Sequence, residues 1–599
     1  GLIAADGGRV HLSAMSAAPA LATAVNQTGT VRANTIVERG GEIYIEANGG
    51  VAQIGGQLQA AGQNTGEKGG LIAVTGAEVH VGPQARIDAS GAAGGGTVLL
   101  GGGWQGDRSV IDSARKVRVD AGAEIRTDAT QEGQGGTTVL WSEQATEFKG
   151  DISARGAGSG RGGQVETSSR GALGVTGSVT VDAPSGTGGR WLLDPATLKV
   201  VETAVQPDEV AASTIQSTLN GVSANAVDLL ANAITVTADI AKTAGGASTL
   251  TLRNTGATNG TIDINGSISS NHGVLNVVLG DAAMLDGGRV TINGALSTNG
   301  GNVTVYKPVT LASTTPITTK ISDAASTSTS GSVNFFKDVT LAAPGYNVTI
   351  NTQGPQSGLP YTGNGGNILF QGNVMSGEYP ASVFYPHALT LDTTGANSGS
   401  ITLGTTSANY VGGAGAAGLK SLTLLGTANT LLNAGTLNLY STSGDVLTAS
   451  SQNGAPTITL NAANTVINVT GGSYGGYSGY TDYLQSTFDI IKGVSAQTLT
   501  INADRSIKIV NHSIKSTTAN APLQVTLNAF HNPSAVGGGV VLNNSSIQTE
   551  GGAISLSGTG LGTDLEGIKD GIYLQNSQLN STRASGSAGS ISLVGNAPA

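Results

Sequence analysis

Nine of the 13 tyrosines fall between Tyr361 and Tyr483, the densest gathering of ligand-holding side chains in the chain. Tyr474, Tyr477, Tyr480 and Tyr483 recur every three residues in a Gly/Ser-rich setting, and Phe488 follows them. Tyr361, Tyr379 and Tyr385 stand among Pro355, Pro360, Pro380 and Pro386, which interrupt any strand. A tyrosine presents a flat apolar face and a hydroxyl at small cost in side-chain entropy. A spacing of three suits neither a strand nor a glycine-rich helix. It predicts exposed loops whose rings could hold a sugar or a peptide, or simply cover the surface beneath them.

Other combinations point to chemistry less strongly. Thr563 to Gly571 contains Asp564, Glu566 and Asp570, oxygen donors of the kind calcium takes, but without EF-hand spacing. A solvated turn is the better reading. Gly158-Ser159-Gly160-Arg161-Gly162-Gly163 has the form G-x-G-x-x-G, yet a dinucleotide site needs a helix after it and another strand-like run follows. Corner glycines are expected there. Asp239 and Asp263 could serve a carbohydrate-cleaving acid pair, but neighbouring repeats offer Thr, Asn or Ser in their place. Trp104, Trp141 and Trp191 lie beside glycine-rich turns and are expected to pack. The chain has no cysteine, and its six histidines (His11, His80, His272, His387, His512, His531) are far apart. Disulfides and thiolate metal sites are excluded, no cofactor is expected, and no catalytic set emerges.

The elements that must position these residues are short strands. Gly41-Glu42-Ile43-Tyr44-Ile45-Glu46, Gly96-Thr97-Val98-Leu99-Leu100 and Gly288-Arg289-Val290-Thr291-Ile292 each pair a glycine step with a run of period two. Gly260 and Gly288 are 28 residues apart, and the phrase from Gly539 to Ser545 echoes that from Gly571 to Ser577 after 32. Repeats of this size mean a solenoid or a propeller. Small corner residues and few aromatics favour an all-β parallel β-helix, a solenoid of about 25 residues per coil, with loop excursions and one short helix over 208–219. Asn220-Gly221 would stop that helix.

Composition agrees with such an array. Glycine is 92 of 599 residues and charged residues only 11%. The net charge is −10 with no basic run, which argues against nucleic acid as a partner. No apolar stretch reaches 18 residues, so no transmembrane segment is expected. Residues 1–200 hold 35 of the 68 charged side chains. Segments 1–195, 196–354, 355–490 and 491–599 follow from that shift, from the helix and from the aromatic-rich excursions. The chain opens in a strand-like phrase without an initiator Met and reads as a piece of something longer.

In order, Ile87-Asp88-Ala89-Ser90-Gly91, the run from Gly94 to Gly106, Phe148-Lys149-Gly150-Asp151-Ile152-Ser153-Ala154-Arg155-Gly156, Gly163-Gln164-Val165-Glu166-Thr167-Ser168 and Trp191-Leu192-Leu193-Asp194-Pro195 occur. Together these phrases resemble the filamentous-haemagglutinin-like secreted adhesins of bacterial two-partner secretion systems, most specifically over residues 1–300. The resemblance implies a right-handed parallel β-helix, export through an outer-membrane transporter partner, and a secreted or surface-retained location. It also implies attachment to cells or to biofilm matrix polysaccharide without catalysis. The family's secretion domain and a C-terminal anchoring region have no counterpart in these residues. A polysaccharide-processing β-helix enzyme and a scavenger of a host haem-carrier protein are the competing expectations. A row of carboxylates on one face would favour the enzyme; smooth Ser/Thr/Asn faces would favour adhesion.

Overall fold

A computed structural model describes the chain except residues 17–22, 37–39, 255–259, 284–286, 322–328, 344, 346, 355–363, 378–386, 395–398, 413–418, 427–428, 442–446, 452–456, 461, 472–482, 487, 493–495, 505, 520, 530–537, 561–569 and 597–599. It is a parallel β-solenoid, 53% strand and 2% helix. The chain divides into two units, Gly1–Val290 with Ser322–Ser326, and Thr291–Ile321 with Thr327–Ala599.

In the first unit strands pair in parallel with their equivalents one coil later. Thr30–Arg32, Gln57–Gln59, Arg86–Asp88, Glu124–Arg126, Asp151–Ser153 and Ser178–Thr180 stack in register. Thr30 pairs with Gln57, Gln57 with Arg86 and Glu124 with Asp151, so these coils take 27, 29 and 27 residues. The expected 25 is too short, because each turn needs three strand segments and three corners. Arg86 pairs with Glu124, a coil of 38, because the segment 101–115 leaves the sheet.

A second sheet carries the core. Ile43, Ile72, Val98, Thr138, Val165, Trp191, Val227, Leu250 and Val277 succeed one another in register, and all are 0% exposed. Each apolar member contributes about 1.5–3 kcal/mol by leaving water. The one hydroxyl in the column is satisfied, since Thr138 bonds Thr127 at 3.1 Å. The indole N–H of Trp191 likewise donates to the Thr167 hydroxyl at 3.0 Å.

At one corner the glycines form a column of their own. A Cβ on Gly70 would lie 2.0 Å from the Gly41 carbonyl, one on Gly136 2.0 Å from Gly96, and one on Gly189 2.1 Å from Gly163. Backbones of successive coils approach there too closely for any side chain, which accounts for much of the glycine content.

The helix is real but shorter than expected, Ala212–Leu219. Asp208 adopts φ +70 and Glu209–Ala211 form a strand instead. The Glu209 carboxylate accepts the Val205 and Gln206 N–H groups, both at 2.8 Å, so it closes the preceding turn and is unavailable to open the helix. Ile215, Thr218 and Leu219 are buried, and the Thr218 hydroxyl bonds the Val179 carbonyl at 2.8 Å. The helix packs on the strands Ser178–Thr180 and Ile240–Lys242.

The second unit repeats the scheme with β-branched residues. Val303, Val333, Ile368, Ile401, Thr430, Ile458, Ile490, Ile514 and Ile547 form one inward column. Ile292, inward by its phase, is 0% exposed. Phe335 and Phe370 stack with centroids 4.9 Å apart. The 32-residue echo is a true register, since Val540 pairs with Ile572 and Asn543 with Gln575. Asn511, Asn544 and Asn576 all take positive φ, and their side chains hydrogen-bond from coil to coil at 3.2 Å. Asparagine is tolerated in that conformation because its short amide can bond locally.

Candidate functional site

The triplets Gln57-Leu58-Gln59, Arg86-Ile87-Asp88, Glu124-Ile125-Arg126, Asp151-Ile152-Ser153 and Ser178-Val179-Thr180 share one design. The middle residue is 0–1% exposed in every case. Alternation along a strand then sends both flanking side chains outward. Two polar columns result, crossing successive strands about 4.8 Å apart.

These columns line three concavities of about 280, 390 and 440 Å³. The first and second share Glu124 and Arg126; the second and third share Asp128 and Arg155. They make one continuous groove running from Gln57 to Ser185. Its carboxylates are all engaged. Glu124 meets Arg86 at 3.3 Å and Arg126 at 2.9 Å. Asp128 accepts the Ser153 hydroxyl and the Arg155 N–H, each at 2.6 Å. Asp151 accepts the Ser178 hydroxyl, and Asp88 accepts the Ser90 N–H at 2.9 Å. Arg155 is exposed and makes no ion pair among the described residues. Four carboxylates and three guanidiniums leave the groove almost balanced in charge, and among the described residues no aromatic lines it.

A second feature lies on the other sheet. Glu166 and Asp194 sit on neighbouring strands, Gln164–Ser169 and Arg190–Asp194, with Glu166 opposite Leu192. Segment 103–107 covers Glu166 completely, leaving it 0% exposed. Its Oε2 accepts the Gln105 N–H at 2.8 Å, while Oε1 has no partner. Burial pushes the carboxyl up to about 7, the Gln105 and Ser168 hydrogen bonds oppose that, and the Asp194 charge adds to it. Asp194 is also raised by burial, against a hydrogen bond from Gln105 and the Arg253 charge. Arg190 pairs with Asp228, which Arg253 reaches at 3.5 Å.

The residues expected from sequence to bind a ligand fare differently. Tyr361, Tyr379, Tyr385, Tyr474, Tyr477 and Tyr480 lie outside the described residues, as does most of the acidic run from Thr563. Tyr483 does not belong to a loop: it opens the strand Tyr483–Ser486 and pairs with Ser506. Phe488 is no surface residue either. It is 1% exposed, a large apolar side chain taken into the core just before the strand Asp489–Lys492. Gly158 takes φ +56 at a corner and the strand Gln164–Ser169 follows, as the corner reading requires. Trp141 and Trp191 are buried, and Trp104 packs on a cluster of Ala73, Leu99, Ile111, Val139 and Trp141. Asp239 is held low by hydrogen bonds from Ser267, and Asp263 lies opposite Thr235 on the neighbouring strand.

Sequence reasoning missed the groove. Its signal was present in the polar–apolar–polar triplets, five of them in one register. Glu166 had no such signal, since its phase in Val165-Glu166-Thr167 places it outward and only the distant segment buries it. Among the described residues no group of His, Asp and Glu could hold a metal ion, and no helix is long and apolar enough to cross a membrane. No protein-family model matches the chain, and a search of curated proteins finds no match.

Proposed function

We propose that this chain is part of the stalk of a secreted bacterial adhesin of the filamentous-haemagglutinin-like, two-partner type, which holds polysaccharide along the groove from Gln57 to Ser185 without cleaving it. The carrying observation is the continuity of that groove across successive strands. A linear polymer meets the same pair of polar columns at every strand, so many weak contacts add along one molecule. Arginine forks, carboxylates and amides suit paired sugar hydroxyls. Near-balanced charge disfavours a polyanion and fits an uncharged polymer. Export by an outer-membrane transporter and retention at the cell surface belong to the same reading.

A glycoside-cleaving reading draws on one observation, the raised Glu166 carboxyl beside Asp194. Segment 103–107 seals Glu166, Asp194 is only partly buried, and both lie on the other sheet from the groove. In the groove itself, arginine, hydroxyl or backbone N–H groups hold every carboxylate. Binding without turnover is therefore the conclusion.

The double substitution Arg126→Ala with Arg155→Ala should weaken retention of neutral polysaccharides on a glycan array at least tenfold. Melting temperature should change little, because exposed ion pairs contribute only about 0–1 kcal/mol. Replacing Tyr474, Tyr477, Tyr480 and Tyr483 together by Ser should leave binding in place. The reverse pattern would move the site to the tyrosine segment, and sugar release by the unaltered protein would overturn the non-catalytic reading.

A further inference from the structure

We propose that segment 103–107 is a proton-controlled flap, closed over Glu166 when that carboxyl is protonated and loosened when it ionises. The segment belongs to the long excursion 101–115 and holds its shape mainly through internal bonds. Gly103 N–H donates to the Asp107 carbonyl, Gly106 N–H to Gly103, and Asp107 N–H to Trp104, at 3.0–3.1 Å. Its polar attachment to the sheet is through Gln105, whose N–H donates to Glu166 and whose side chain bonds Asp194. Gln105 reaches that position with φ +51, a conformation a non-glycine residue holds only under constraint. Trp104 supplies the apolar attachment.

An ionised Glu166 fits this closed arrangement poorly. One oxygen is buried without a partner, and the Asp194 carboxyl, two residues along the neighbouring strand from Leu192 opposite Glu166, opposes a second negative charge. The charges around the site oppose one another. Arg190 favours ionisation of Glu166, but Asp228 already engages Arg190. Arg253 is shared among Asp194, Asp228 and Asp281. On the flap side Asp107 is held low by Ser109, and Arg108 pairs with Glu143 at 2.6 Å. The strand beneath contributes the uncharged Val139 and Trp141.

The direction of control follows from the two states. With the flap closed the carboxyl lies near 7; with it lifted, water returns the group toward its ordinary 4.5. The closed form binds the proton more tightly, so acid stabilises closure. From about pH 5 to 7 the closure constant should fall about tenfold per unit, then level off.

Hydrogen exchange of the peptide covering residues 101–110, corrected for intrinsic rates, tests this between pH 5 and 8.5. Protection should drop on the order of a hundredfold, most of it between about pH 5 and 7 and levelling off above about 7, while helix Ala212–Leu219 keeps its protection. Glu166→Gln, neutral at every pH, should hold the flap closed throughout. Asp194→Asn should retain the transition but move its midpoint to lower pH. The unaltered protein and Asp194→Asn suffice if Glu166→Gln does not fold. Protection independent of pH, an unshifted midpoint in Asp194→Asn, the same transition in Glu166→Gln, or equal loss in the helix would each overturn the proposal.

Discussion

Lys242 shows that a strand's phase can carry even a charged residue inward. Ile240 and Lys242 are the inward residues of their strand, both 0% exposed, with Ala241 between them. The ammonium bonds the Ala244 carbonyl, and burial lowers its pKa to about 8. A lysine lowered in the folded state binds its proton less tightly than in the unfolded chain. Its cost to stability is therefore full below pH 8 and fades as pH rises toward 10.5. Lys242→Met keeps the apolar stem and removes the buried charge. We expect a gain of about 1–3 kcal/mol at pH 7, shrinking by pH 10, read from urea midpoints at both values. A loss at pH 7 would show that the ammonium is favourably held.

The coil corner acts as an element in its own right. Gly136 lies between Gly96 and Gly163 in the column where backbones touch, and a methyl group there would meet the Gly96 carbonyl at 2.0 Å. Neither backbone can turn aside without breaking the adjoining parallel pairs. Gly136→Ala should cost at least about 1–3 kcal/mol and expose neighbouring coils to protease. Gly40→Ala is the control, since nothing lies within 4 Å of its Cβ position. Equal melting temperatures in the two variants would mean that the column is not tightly packed. The helix Ala212–Leu219 teaches a related lesson. Ile215 and Leu219, four apart in the sequence, face the core, but the Glu209 carboxylate just before the helix closes a turn instead of capping it.

At the scale of the whole molecule, charge is the clearest property. The chain carries −10, yet the groove nearly balances its own charges. Binding of an uncharged polysaccharide should change less than about twofold between about 0.05 and 0.5 M salt, because screening acts little on neutral ligands. Titration calorimetry at both salt levels checks this. A steep fall with salt would indicate an anionic ligand and contradict the proposed polymer.

The sequence by itself determined the local rules. Period-two runs such as Val290-Thr291-Ile292 fixed which residues turn inward, and repeats of 28 and 32 residues fixed what stacks on what. Those signals are short-range, so a strand of three or four residues already carries them. Only the tertiary structure decided what covers an outward face. The triplets around Ile87, Ile125 and Ile152 became a groove because nothing among the described residues lies over them, whereas Glu166, equally outward by phase, was buried by residues some 60 positions away. Phe488 was taken inward by the same kind of long-range packing. Alternation specifies a direction from the backbone, but burial depends on whether another part of the chain arrives there.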